Sequence, residues 1–525
     1  MADGVLSEPG RVRTTEVIAA LSLATDLAVG FPFEHGLHST LVAARLCDRL
    51  GVDAETTAQA YFLCLLFYVG CTAPVDVGWE VFGEDGAFHT HAIPARFGGI
   101  SETVRGMTRA IAPPTDPAFV RAWRLLRHMP GLALKFSDVA AATCEVARML
   151  TEELGLTRSD AQLVNYESER WDGWGSPNRV AGEAIPLPVR IVHVARDAAF
   201  QSTRIENESV ATLIAERGGG GLDPEIAQVF ASAAGELLEL EATKSLWDLT
   251  LDAEPKPWLM LEGEEIDRAL AAMGHFADLA VSDLVGHSSG VAKLSRAAAQ
   301  LLSSQPEDQI RVGRAALVHD LGRLATPVRI WEKVEPLTAD DWERIRLHAY
   351  HTERILLRSP FLARLAPVAS FHHERLDGSG YHRGVGAASF EPLSQVLAAA
   401  DAYHAMTEPR CYRVALSAQE AAEILAKGAA AGTLSSEAVG AVLAAAGHRD
   451  PVVKRPAGLT EREIEVVQLL ARGMQTKQIA RSLQISPKTA DHHIQNAYRK
   501  MGVSTRAGAT LFAMQHGLTA RENSR

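Results

Sequence analysis

Nine of the chain's nineteen histidines fall between His275 and His404, interleaved with aspartates. Imidazole and carboxylate together suit Zn, Fe or Mn, and the near absence of cysteine argues against a structural zinc knuckle. The spacing is particular. Asp283 and His287 are i,i+4 and are expected to share one helix face. His319-Asp320 and His372-His373 are adjacent pairs. Neighbours on a helix point about 100° apart, so such a pair can serve two different ions rather than chelate one. Asp401 follows the apolar run QVLAAA, which sets a carboxylate at the end of a buried segment. Ions about 3.5–4 Å apart can bridge a phosphate and activate a water for in-line attack.

Helices must position these groups. Stretches such as TLVAARLCDRLG, GVAKLSRAAAQLL and AQEAAEILAKGAAAG carry apolar residues near i, i+3, i+4 and i+7, and alternating β patterns are scarce, so the class is mostly α. With 47% apolar and 22% charged residues the 525-residue chain reads as soluble and globular. Its net charge of −12 gives no global attraction to nucleic acid or an anionic membrane. Five cysteines without a CxxC pair suggest reduced thiols and a cytoplasmic protein, and the N-terminus lacks an apolar leader segment. Ala60–Val75 is the one membrane candidate. It is short, and Gly70, Thr72 and Pro74 interrupt it, so it reads as a buried core helix and no membrane is expected.

Glycine and proline punctuate the chain at LDAEPKPW (Leu251–Trp258) and GHRDPVVKRPAG (Gly447–Gly458). The blocks are then 1–255, 256–450 and 451–525. The first two look like an internal repeat. EHGLHSTLVAARL lines up with DLVGHSSGVAKL, LLFYVGCTAP with LVHDLGRLATP, SERWDGWGSP with HERLDGSGYH, and IPLPVRIVHVARDA with EPLSQVLAAADAYHA, in the same order.

The strings HDLGR, HHERLDGSGY and AAADAYHAMT resemble the HD-GYP branch of the HD phosphohydrolases, over most of 275–450. The resemblance implies an all-helical metal enzyme of a branch that hydrolyses cyclic di-GMP. Carried over by position, it implies metal roles for Asp283, His287, His319, Asp320, His348, His372, His373 and Asp401. It implies two or three divalent ions, with Fe or Mn favoured. It implies catalytic roles for Asp320 and Arg323, and a phosphate pocket shaped by Arg323, Arg375, Asp377 and Tyr381. Three positions depart from the family: Arg323 replaces a lysine, His382 the proline of GYP, and His404 an aspartate. His275 and His351 read as core histidines, with His351, one turn after His348, available as a substitute ligand. The full ligand set favours turnover. His382 and His404 favour binding without it, so hydrolysis and sensing both stay open.

In the first copy Glu34 and His38 survive, but His-Asp becomes Phe67-Tyr68, the basic residue Cys71, His-His Glu167-Ser168, and the metal-holding aspartate Arg196. The frame is kept and the chemistry dropped. Block 1–255 is therefore a degenerate HD-GYP-like bundle for scaffolding, dimerisation or sensing. From Gly458 onward ten Lys+Arg face five Asp+Glu, a local net of +5 that leaves −17 for the rest. The strings LTEREIEVVQLLARG, KQIARSLQISPKTADHHIQNAYRKMGV and STRAGAT resemble the LuxR-type helix-turn-helix, which implies a small four-helix DNA-binding domain. The helix after Ser486 would then be the recognition helix, with Lys488, Thr489, His492 and His493 facing DNA and Lys477, Arg499 and Lys500 near phosphates. The expected protein is a dimeric transcription regulator with two tandem HD-like bundles. Its partners are double-stranded DNA and a cyclic dinucleotide, probed either as ligand or as the substrate of a phosphodiesterase.

Overall fold

A computed structural model describes residues 10–70, 91–128, 132–241, 243–303, 305–448, 456–471, 474–503, 506–515 and 518. The helices used below are Thr14–Val29 (α1), His35–Leu50 (α2), Ala54–Leu66 (α3), Leu132–Glu153 (α4) and Leu187–Ser202 (α5) in the first half. Glu264–Leu279 (α6), His287–Leu302 (α7), Pro306–Val318 (α8), Ala339–Leu356 (α9) and Pro392–Thr407 (α10) follow in the second. Their ends have local causes. Gly30 and Gly51 sit at φ +79° and +65° after α1 and α2, the left-handed cap that glycine adopts without a Cβ clash. Thr338 and Asp341 form a reciprocal capping box at the start of α9.

The two halves are not independent. Strand β1 (Arg11–Arg13) pairs antiparallel with β2 (Met260–Glu262), Val12 opposite Leu261, and this seats α1 beside α6. α1 is buried on every side from Thr14 to Asp26. One apolar core then runs through both halves, from Ile18, Leu21 and Leu65 to Met273, Phe276, Val318 and Leu397. A second core, including Leu46, Phe67, Ile191 and Phe230, belongs to the first half alone. Polar contacts cross the join as well: Arg358 pairs with Glu34 at 2.7 Å, and the Arg354 guanidinium lies 3.7 Å from the Phe33 ring centre.

No described helix is long and apolar enough to cross a membrane. The oily stretch from Ala60 is instead the buried end of α3, where the Tyr61 hydroxyl donates to the Thr250 carbonyl at 2.7 Å. Cys71 and the rest of LLFYVGCTAP after Gly70 lie outside the described residues.

The C-terminal part holds Glu461–Ala471 (α11), Thr476–Ser482 (α12), Pro487–Met501 (α13) and Arg506–Gln515 (α14). Thr460 and Glu463 close a capping box before α11, and Ser486 caps α13 through the Thr489 N–H. Val466, Ile479, Ala490 and Ile494 pack α11, α12 and α13 together, and Val467, Ala497, Met501 and Ala513 seat α14.

The shared core makes a prediction. Phe276 is fully buried in it, so Phe276→Ala should lower stability by about 3–5 kcal/mol. Guanidinium chloride unfolding followed at Trp171 and at Trp331 should report the same shift in both halves. An effect confined to the second half would contradict a common core.

Candidate metal centre and nucleic-acid interface

α7, the end of α8, α9 and α10 converge on one buried point. His287 begins α7, His319 and Asp320 close α8, His348 lies in α9, and Asp401 lies in α10. His372 and His373 follow a short helical turn at Ala366–Ala369. Asp320 is central and 2% exposed. Its Oδ2 lies 3.2 Å from His319 Nε2 and 3.7 Å from His287 Nε2, and accepts from Arg323. Its Oδ1 lies 3.4 Å from His348 Nε2 and 3.5 Å from His372 Nε2. Asp401 Oδ1 is 3.2 Å from His287 Nε2. Three donor groups result: His287, His319 and Asp401; His319, Asp320 and His372; and His348, His372 and His373.

The imidazoles are aimed. The Nδ1 of His319, His348 and His372 each bonds the carbonyl three residues back, on Ala316, Ile345 and Ala369, which leaves every Nε2 turned inward. His287 Nε2, His319 Nε2 and Asp320 Oδ1 are buried with no hydrogen-bond partner among the described residues. Buried polar atoms rarely lack partners, and a set of imidazole and carboxylate atoms doing so together fits divalent cations. Burial pushes His348 down to about 3 and lowers His373, keeping both neutral as ligation requires. Burial alone would raise Asp320, but Arg323 and His319 outweigh it and hold the carboxylate well below its usual range.

Close approach explains the glycine of HDLGR: a Cβ on Gly322 would come within 2.0 Å of the His348 carbonyl. Gly290 makes room in the same way for His404, whose ring stands edge-on to His287 at 5.5 Å. Arg323 is backed by Trp331, 4.8 Å from its ring centre. Tyr381 stacks on His373 at 4.7 Å and belongs to the cluster. Arg375 and Asp377 do not reach it. Arg375 donates to the carbonyls of His372 and Glu374, and exposed Asp377 accepts from Ser379, so both shape the loop.

Asp283 departs from expectation. Gly286, at φ +85°, breaks the backbone just before His287, so Asp283 sits on a separate turn and not on the α7 face. Its carboxylate accepts from the Cys411 N–H. Glu408 takes the place beside His287, with Oε2 2.9 Å from His287 Nδ1 and Oε1 3.1 Å from His404 Nδ1, and these three form a further donor group. The reading above missed Glu408, although its i,i+4 spacing from His404 was a signal. His351 joins none of the donor groups, and His275 bonds Ser289.

The first half repeats the frame. Glu169 accepts from the N–H groups of Asn178 and Val180, as Glu374 does from Arg383 and Val385. Gly70 approaches the Thr143 carbonyl of α4 as Gly322 approaches α9. The register of one pair needs correction. Asp26 accepts from Gly36, ten residues on, as Asp278 does from Ser288, so His35 and not His38 is the counterpart of His287. Both histidines open their helices after a left-handed residue, Glu34 or Gly286. Arg196 points over the rings of Phe67 and Tyr68, at 4.7 and 5.0 Å.

On α13, Lys488, Thr489 and His492 are exposed and His493 is half-buried; Lys477 and Arg499 are exposed beside them. Lys500 spans to Glu463 and the Gly458 carbonyl, which ties α13 to α11.

A helical metal-type centre joined to a helix-turn-helix defines the class, and comparison with known proteins agrees. Residues 272–434 match the family described as HD domain, and 457–513 match bacterial regulatory proteins of the luxR family. One segment of the chain is thus similar to HD domains and another to luxR-family regulatory domains, and the similar proteins include cyclic-nucleotide phosphodiesterases. The 3'3'-cGAMP-specific phosphodiesterase 3 of Vibrio cholerae serotype O1 is 26% identical over 78% of this chain and 90% of that one. A cyclic di-GMP phosphodiesterase of Pseudomonas aeruginosa is 34% identical over 27% of this chain and 34% of that one. A crystal structure of a cyclic GMP-AMP specific phosphodiesterase from V. cholerae shares the fold, with a TM-score of 0.57 over 84% of this chain and 99% of that one, at 22% identity.

Glu408 generates a test. Carboxylates that orient a ligating imidazole typically contribute about 10–100-fold to metal affinity. Glu408→Ala should therefore weaken Mn binding by about that factor in competition titrations. Asp283→Ala should leave it nearly unchanged, and the reverse ranking would overturn the assignment.

Proposed function

We propose that this chain is a cytoplasmic transcription regulator that binds DNA through its C-terminal helices and hydrolyses or senses a cyclic dinucleotide at the centre around Asp320. The observation that carries this reading is the set of inward-facing imidazole and carboxylate atoms, three of them buried without a hydrogen-bond partner among the described residues. The substrates named for the relatives, 3'3'-cGAMP and cyclic di-GMP, support the substrate class. In this reading 1–255 is a degenerate bundle, 256–450 the phosphohydrolase unit and 451–525 the DNA-binding head.

His287, His319 and Asp401 would hold one ion, His348, His372 and His373 another, with Asp320 between them. Glu408 orients His287 through Nδ1, the place where Asp283 was expected. The mix of imidazole and carboxylate favours Fe or Mn. When bound, such ions supply Lewis acidity and lower the pKa of water toward neutrality. Arg323, already oriented by Asp320 and Trp331, neutralises charge developing on the phosphoryl oxygens. Burial pushes the Tyr381 phenol up, so it remains an O–H donor at the pocket wall. Arg375 and Asp377 hold the loop that carries Tyr381.

For the head, α13 lies in the major groove with Lys488, Thr489, His492 and His493 toward base edges and Lys477 and Arg499 toward phosphates. A homodimer presents two such heads, and a ligand that favours one arrangement of the helical halves shifts their spacing.

Protein purified without oxygen and loaded with Fe or Mn should convert cyclic di-GMP or 3'3'-cGAMP to linear product, followed by chromatography. The doubly substituted His319→Ala, Asp320→Ala protein should be slower by about a thousandfold or more, on the scale of losing a metal-activated nucleophile. Equal product from both would remove the hydrolase reading. Independently, deleting 456–525 should abolish duplex binding, and Lys477→Ala should lower the slope of log affinity against log salt by about one. Retained binding by the truncated chain would refute the head assignment.

A further inference from the structure

The first half keeps a cleft where the second half has its centre. Phe31, His35, Tyr68, Arg96, Arg196 and Asp197 are among the residues that line it, and it opens to solvent.

Its walls hold cationic groups without counter-ions among the described residues. Arg196 is 4% exposed, yet its one hydrogen bond runs from Nη1 to the Cys64 carbonyl at 2.9 Å, and no carboxylate lies within ion-pair distance among the described residues. Phe67 and Tyr68 face its guanidinium. Arg96 donates to the Tyr68 hydroxyl at 2.7 Å, the Glu167 carbonyl at 3.0 Å and the Ser168 hydroxyl at 3.1 Å, all neutral acceptors. The nearby acids do not compensate. Asp197 is taken by Arg217, which also holds Glu102. Burial pushes Asp26 up to about 7 and Glu167 up to about 8, so neither carries a full charge at neutral pH. His35 Nδ1 is buried and has no hydrogen-bond partner. A buried guanidinium without a paired charge is costly, and the cost falls when an anion enters.

We propose that this cleft binds a phosphate-type oxyanion between Arg196 and Arg96, with guanidinium charge standing where the second half would use metal ions. The oxyanion is either free inorganic phosphate or the phosphoryl group of a nucleotide whose base remains outside. Guanidinium forks match tetrahedral oxyanions through paired N–H donors, and the aromatic rings keep water from the cation.

The test uses the full chain carrying Asp320→Ala, which disables the other centre, and titrates inorganic phosphate, 5'-GMP and cyclic di-GMP by calorimetry. Inorganic phosphate should bind saturably, and Arg196→Gln and Arg96→Gln should each weaken it by about tenfold or more, the scale of a lost charge-assisted hydrogen bond. Arg196→Lys should fall between. If the nucleotides bind more tightly with the same sensitivity, the source is a nucleotide phosphoryl group; if they do not, it is free phosphate. Near-UV circular dichroism checks folding, and because Arg96 is partly exposed, its variant carries the test alone if buried Arg196→Gln fails to fold. No saturable phosphate binding, or binding that neither arginine affects, overturns the proposal.

Discussion

A carboxylate held almost dry among imidazoles is the constraint on which the second half depends. Asp320 has two oxygens facing two sets of nitrogens, and burial by itself would drive it to protonate. It stays ionised because positive charge is close, from Arg323 and His319. Such a group is tolerable only where the surrounding backbone is rigid, since a small displacement would leave the charge unpaired. The carbonyls that bind each Nδ1, the glycine that lets α9 approach α8, and Glu408 behind His287 supply that rigidity.

The first half shows the same frame after that constraint is removed. Its glutamate clamp, close glycine contact and buried aspartate at the start of α2 persist. With Phe67 and Tyr68 in place of His-Asp, no group of three metal-donor side chains forms there among the described residues. Aromatic rings and a guanidinium line the space instead. The two halves also share a core and an ion pair between Glu34 and Arg358. Glu34 precedes His35, and Arg358 follows the helix that carries His348, so the vestigial cleft and the metal-type centre touch connected elements.

Much of this was legible in one dimension. Adjacent pairs such as His319-Asp320 and His372-His373, the apolar run before Asp401, and the caps of the C-terminal helices are local patterns. The family matches fall where those patterns lie. The errors came from places where the backbone turns. Reading Asp283 and His287 at i,i+4 assumes an unbroken helix, and Gly286 breaks it. Matching the two His-Ser pairs shifted His38 into a place that the Asp26–Gly36 bond gives to His35. Arg375 and Asp377 are near the centre in sequence, yet their side chains close on their own loop.

By itself, the sequence determined the helical class, the order of the HD and luxR segments, and where along the chain the clustered histidines and aspartates lie. These depend on residue type and short-range spacing, which chain geometry converts directly into helix faces and caps. Tertiary structure alone decided that Glu408 replaces Asp283 beside His287, that the halves share one core, and that Arg196 and Arg96 line one cleft. Those outcomes depend on which side chains meet across hundreds of residues and on how burial reorders their charges, neither of which is a property of spacing along the chain.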